Sequence, residues 1–286
     1  MRYEAPESLD RAVALLAGAA GDARLLAGGT DLLVQLRADI IDPELIVDIK
    51  KIAETRAVTE EAGGWRIGAA VTGAELKEHP RLSRVWPGVI EAANLIGSTQ
   101  IQGRATLGGN LGNGSPAADS VPALIAAGAV ASVAGPQGRR DIPVEDVMLG
   151  PRRLSLRTGE FLVSFLLPPR PPRSSDAYLR FIPRTEMDIA VVGAGVSVTI
   201  DAGGAITAAR VSLGAVAEKV LLVPAAAQAI VGTRLDRAAQ DGLEAAARAA
   251  CRPIDDKRGT REFRVEVAGV LARRAALIAR DRARAS

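Results

Sequence analysis

The chain has 286 residues, 48% of them apolar and 3% aromatic, with 36 basic side chains set against 33 acidic ones. That length supplies the core of one large or two ordinary domains, and a net charge of only +3 does not describe a polyanion-binding surface. One cysteine, Cys251, and one histidine, His79, exclude an internal disulfide, a zinc site, a cysteine-ligated iron–sulfur cluster and a Cys/His nucleophile pair.

The elements follow in chain order. Ser8 reads as the N-cap of a first helix over 8–18, with Leu9, Val13 and Leu16 on one face. Its apolar stretch is not a signal peptide, because Glu4, Glu7 and Asp10 give the flank the wrong sign. A short strand over 25–27 ends at Gly28–Gly29, and Thr30 or Asp31 starts a helix with Leu32, Leu33, Leu36 and Ile40 as its apolar positions. "ELIVDIK" is the next strand, so the helix makes a parallel crossover. A hairpin is expected to turn at Gly63–Gly64, and a helix to cover about 84–96. A short helix starts at Asp119, followed by strands in "AVASVAG" and "GEFLVSFLLPP". Residues 120–138 are uncharged but hold three Gly and two Pro, which argues against a membrane span. "PPRPPRSSD", 168–176, marks a domain boundary with its four prolines. Two strands joined at Gly203–Gly204 follow, and helices dominate from Pro224 onward.

Three glycine segments are candidates for phosphate binding. "AGGTD", 27–31, is either a plain strand-to-helix turn or a cradle whose backbone N–H groups approach an anion with no Cβ in the way. "TLGGNLGNGSPAAD", 106–119, lacks a Walker lysine, so nucleoside triphosphate chemistry is not indicated. Thr106, Asn110, Asn113 and Ser115 offer neutral hydrogen-bonding groups there, and Asp119 is the first carboxylate after them. Between Ala92 and Ala118 the only charged residue is Arg104, and such avoidance of charge points to burial against something polar that is not protein. "VVGAGVSV", 191–198, imitates a dinucleotide fingerprint but lacks its third glycine and alternates like a strand; it reads as a decoy. His79 reads as a surface residue and Cys251 as packing. The basic C-terminal helix reads as a solvated face or, more sharply, as a docking surface.

Taken together, "LLAGGTDLLVQLR", "IQGRATLGGNLGNGSPAADSVPALIA", "YLRFIPRTEMDIAVVGAGVSV" and "PIDDKRGTREFRVEVAGVLARRAAL" resemble one family across the whole chain. It is the FAD-binding medium subunit of the molybdenum hydroxylases, the group of carbon monoxide dehydrogenase and the xanthine dehydrogenases. The resemblance implies an α+β fold in which two α/β subdomains, about 1–55 and 56–174, sandwich FAD in the manner of the vanillyl-alcohol-oxidase type. A C-terminal α+β domain over 175–286, with a small antiparallel sheet and helices, follows. It implies FAD contacts from Ala27, Gly28, Gly29, Thr30 and Asp31, and from Thr106, Leu107, Gly108, Gly109 and Asn110. Asp119 matches an acidic position that holds cofactor hydroxyls, and Arg180 a basic position near the flavin where lysine is common. No metal site and no catalytic acid or base is expected on this chain.

The implied partners are a [2Fe–2S] small subunit and a molybdenum-cofactor large subunit in a dimer of heterotrimers, with NAD, a quinone or another carrier as electron acceptor, no nucleic acid and a cytoplasmic location. Thr30–Asp31 stands where the carbon monoxide enzymes carry His and Ser, which points away from carbon monoxide as the substrate. Some relatives carry a cysteine-rich iron–sulfur loop, which a single cysteine rules out. A self-contained flavin reductase or oxidase of the same fold is the alternative, separable by turnover of the isolated chain. A basic binding or scaffold protein is the alternative from another class, separable by the absence of a flavin spectrum.

Overall fold

The computed structural model describes residues 1–184 and 186–285. Its first sheet is small and parallel, with the strand Leu45–Asp48 between Arg2–Glu4 and Ala23–Leu26. The helix Leu9–Ala17 starts at Ser8, whose hydroxyl accepts the Arg11 N–H at 3.3 Å. The helix Leu32–Arg37 makes the crossover from Ala23–Leu26 to Leu45–Asp48. The 27–31 turn therefore lies at the carboxyl end of a parallel strand, where α/β sheets bind ligands. The expected apolar stripe on that helix does not form. The helix buries none of its residues, and Leu33 and Ile40 are 56% and 57% exposed. Fewer than two helical turns give the periodicity no length to act on, and Asp39, at φ 50°, turns the chain away before Ile40.

The second sheet is antiparallel, in the order Val58–Glu61, Gly64–Gly68, Phe161–Leu167, Val130–Gly135, Gly138–Pro143. Phe161 and Phe165 on its central strand are fully buried and pair with Ala134 and Ile67. The first hairpin turns at Ala62–Gly63, with φ 48° and 80°, and not at Gly63–Gly64. Gly64 is instead a buried strand residue whose Cβ would overlap the Leu167 carbonyl oxygen. The helix expected over 84–96 is broken into Leu82–Val85 and Pro87–Asn94. Pro87 excludes the helical conformation at Trp86, which takes φ −127°, ψ 60°, and then serves as the first residue of the next helix. The glycine-rich stretch also holds order that its composition hides: Thr106 caps a helix, Leu107–Gly112, by accepting the Gly109 N–H at 2.9 Å.

The third sheet is antiparallel, Ser174–Phe181, Val192–Ile200, Ile206–Gly214 and Leu221–Leu222 in that order. The decoy glycine segment is its second strand. A Cβ on Gly195 would meet the Pro122 carbonyl oxygen at 2.5 Å, which explains the small residue there. The 25-residue helix Arg261–Ala285 lies against this sheet through Ala268, Ala272, Ala275, Ala276 and Ala279, all fully buried. Its arginines are not simply a solvated face: Arg282 donates to the Asp176 carbonyl at 2.9 Å and pairs with Glu91 on the helix Pro87–Asn94. No helix among the described residues is long and apolar enough to cross a membrane.

Candidate functional site

A cavity of about 260 Å³ opens between the first two sheets. Ala27, Gly28, Gly29, Thr30 and Asp31 form one wall, and Thr106, Gly108, Gly109 and Asn110 the opposite one. The two segments thus converge on one space although 75 positions separate Asp31 from Thr106. Lys50 pins the strand end beneath the first segment, donating to the Ala27 carbonyl at 3.0 Å and to Asp48 at 2.8 Å.

Each glycine has its own reason. Gly29 sits at φ 83°, a conformation that side chains strain. Gly28 lies so close to the second segment that a Cβ would overlap the Arg104 carbonyl oxygen, and a Cβ on Gly108 would meet the Ala69 carbonyl oxygen at 2.5 Å. Gly28 lets the two walls meet, and Gly108 lets its helix pack against Ala69, just past the strand Gly64–Gly68. Gly109 differs, because its Cβ would touch only the Thr106 hydroxyl at 3.0 Å and Ala27 at 4.0 Å, so its absent side chain leaves the cavity open.

The backbone N–H groups of Gly28, Gly29, Thr30 and Asp31 donate to no protein acceptor among the described residues. A row of free donors along a glycine-lined wall, with no lysine in the lining, suits the oxygens of a diphosphate. The donor set therefore fits FAD. Asp31 has an exposed side chain, yet the wall around it strips part of its hydration and raises its pKa.

Three residues expected to touch FAD do not line this cavity. Leu107 is 1% exposed and points into the core, not the cavity. Asp119 and Arg180 are absent from the cavity wall and pair with each other at 2.8 Å. Tyr178 completes this cluster by donating its hydroxyl to Asp119 at 3.0 Å. Burial pushes the Asp119 carboxyl up to about 6, against the opposing pull of Arg180 and the Tyr178 hydrogen bond. Burial, and then the neighbouring Asp119 charge, hold Tyr178 well above the usual range for a phenol.

Cavity residues that the sequence did not single out include Arg24, Gln35, Ile49, Leu154, Leu156 and Leu162. Asn113, named among the polar groups of the glycine motif, also lines the cavity; Gly112 belonged to that motif and could have been read from it, and the leucines carry no sequence signal. His79 is a structural acceptor, taking the Leu82 N–H on Nδ1 at 3.1 Å, with its ring edge-on to Trp65. A second, wider cleft of about 660 Å³ runs past Ser115, Pro116 and Ala117 to Cys251, whose thiol burial pushes up to about 11. Ala217 and Glu218 on its wall also leave their backbone N–H groups without a protein acceptor, but that wall carries the carboxylates of Glu218 and Asp256 and neither pair of adjacent glycines, so the smaller cavity suits a diphosphate better. No cluster of metal-ligating side chains occurs among the described residues.

Comparison with known proteins shows the family. Residues 1–170 match the FAD binding domain in molybdopterin dehydrogenase, and residues 177–279 the CO dehydrogenase flavoprotein C-terminal domain. The chain belongs to the FAD-binding medium subunits of the molybdenum hydroxylases. It is 34% identical to the carbon monoxide dehydrogenase medium chain of Afipia carboxidovorans, over 99% of this chain and 97% of that one. It is 33% identical to the putative xanthine dehydrogenase FAD-binding subunit of Escherichia coli, over 93% and 91%. The crystal structure of the Cu,Mo-CO dehydrogenase contains a chain that matches with a TM-score of 0.94 at 34% identity, covering 99% and 98%. That of quinoline 2-oxidoreductase from Pseudomonas putida 86 matches at 0.89 and 29% identity, with the same coverage. The cofactor of this oxidoreductase family is FAD, and the medium subunit is one component of a multi-subunit molybdenum enzyme. The scaffold reading is thereby set aside.

Proposed function

We propose that this chain takes electrons from a [2Fe–2S] subunit and passes them to an external acceptor, while a molybdenum subunit carries out the hydroxylation. Bound FAD supplies the redox chemistry, and the protein supplies binding, orientation and exclusion of water. The observation that carries the reading is the row of free N–H groups at residues 28–31, facing the glycine helix 107–112 across one cavity. The backbone donors of 28–31 hold the diphosphate. Thr30, Asn110 and Asn113 offer hydrogen bonds to cofactor oxygens, and Asp31 accepts from hydroxyls. NAD and quinones remain the acceptor classes, and a dimer of heterotrimers is the assembly.

The experiment is anaerobic mixing. The FAD-loaded chain is combined with its reduced iron–sulfur partner, and the flavin absorbance is expected to bleach, while the chain alone hydroxylates no organic substrate. Hydroxylation by the isolated chain, or a flavin that stays oxidised against the reduced partner, overturns the proposal.

A further inference from the structure

The row of free amides at 28–31 has a charged support behind it. Lys50 does not line the cavity, yet its ammonium donates to the Ala27 carbonyl at 3.0 Å. The Ala27 C=O and the Gly28 N–H belong to one peptide unit, and no peptide bond among the described residues is cis. In a trans peptide the two groups point in opposite directions, so a carbonyl turned to Lys50 sends the Gly28 N–H the other way. Glycine places little restraint on rotation of that peptide, so its orientation must come from what the carbonyl bonds to. A cation on the carbonyl also polarises the unit and strengthens its N–H as a donor.

Lys50 is itself firmly placed. It lies in the short turn Ile49–Lys51, where Asp48 accepts its backbone N–H at 2.9 Å and its ammonium at 2.8 Å. The Tyr3 hydroxyl donates to the same carboxylate at 2.6 Å. Burial alone would raise the Asp48 carboxyl, but the hydrogen bonds from Lys50 and Tyr3 outweigh it and hold the pKa below the ordinary carboxylate value. Asp48 stays ionised and so favours the charged form of Lys50. Tyr3, Asp48 and Ala27 stand on or just past the three strands of the parallel sheet, so the cluster joins all three beneath the segment. We propose that Lys50 is a positioning residue for the FAD diphosphate, acting through the Ala27 carbonyl to orient and polarise the Gly28 N–H. The proposal rests on the FAD reading above. It places a positive charge one peptide unit behind a wall that has no lysine on its cavity side.

The test compares FAD with riboflavin, which carries the same ring and ribityl chain but no diphosphate, by flavin-fluorescence titration of the full chain. Lys50→Met is expected to raise the FAD dissociation constant about three- to thirtyfold, the range of effects carried through one intervening group. The dissociation constant of riboflavin is expected to change by less than about twofold, because the contact that Lys50 supports is missing from it. Lys50→Arg, which keeps the charge and the donors, is expected to recover most of the FAD loss. The phosphorus NMR resonances of bound FAD should move in Lys50→Met and return in Lys50→Arg. Losses of equal proportion for the two ligands, or phosphorus resonances that stay in place, overturn the proposal, as does parent-like FAD affinity in Lys50→Met. Lys50→Gln keeps an N–H donor without the charge, and serves with the same readouts if Lys50→Met fails to fold. A parent chain that binds no FAD at all is a different outcome, and it removes the functional reading together with the role of Lys50.

Discussion

Gly109→Val is expected to weaken FAD binding more than about a hundredfold while leaving the chain folded. Gly109 does not occupy a left-handed backbone conformation, so a side chain there meets no φ penalty. Nor does it collide with protein backbone, since the only atoms near its Cβ are the Thr106 hydroxyl at 3.0 Å and the Ala27 Cβ at 4.0 Å. The added methyls project into the space between the two glycine segments. Displacing a diphosphate from backbone contact should cost at least about 3 kcal/mol of binding, in line with clash penalties elsewhere. Gly103→Val is the matched control. Gly103 is exposed, has φ −68° and would place its Cβ with nothing within 4 Å. Fluorescence titration of the folded variants should show the loss at 109 and not at 103; equal affinity for parent and Gly109→Val would remove residues 106–110 from the site.

The opposite pattern is expected at Gly28. Its Cβ would overlap the carbonyl oxygen of Arg104 and approach the carbonyl carbon at 2.8 Å, and both are backbone atoms that cannot rotate away. Gly28→Ala must force the two walls apart. We expect a loss of about 3–5 kcal/mol in conformational stability, at the severe end of single substitutions, with FAD affinity falling as a consequence. Chemical denaturation of the apo chain measures the first effect without any cofactor. An apo stability equal to that of the parent would show that the walls do not meet at this point. The two glycines thus separate the functions of the motif, one closing the cavity and the other keeping it open.

Much of this was legible in the residues. The free-donor segment at 27–31 could be placed because a strand, two glycines and a polar helix start leave few conformations open, and the parallel crossover fixes where that turn lies. The decoy at 191–198 was separable because "VSVTI" alternates in twos, and it is a strand. Where the structure departs from the expected elements or hides a pairing, the reasons are physical. Pro87 broke the helix expected over about 84–96, through its restriction on Trp86. Leu32, Leu33, Leu36 and Ile40 have helical spacing, but on too short a helix to bury a face. Leu107 belongs to the motif by position yet packs inward, because a helix turns successive residues to different sides. Asp119 and Arg180 looked like separate cofactor contacts; their mutual pairing is a long-range fact, 61 positions apart, that no local pattern encodes.

The central claim, that residues 27–31 and 106–110 hold one FAD by non-covalent contacts, is tested most directly by the flavin content of the purified chain before and after acid precipitation. The account predicts one FAD per chain, all of it released to the supernatant, since neither His79 nor Cys251 lies in the cavity wall to form a covalent bond. A colourless chain that takes up no FAD, or flavin that stays with the precipitated polypeptide, would contradict it.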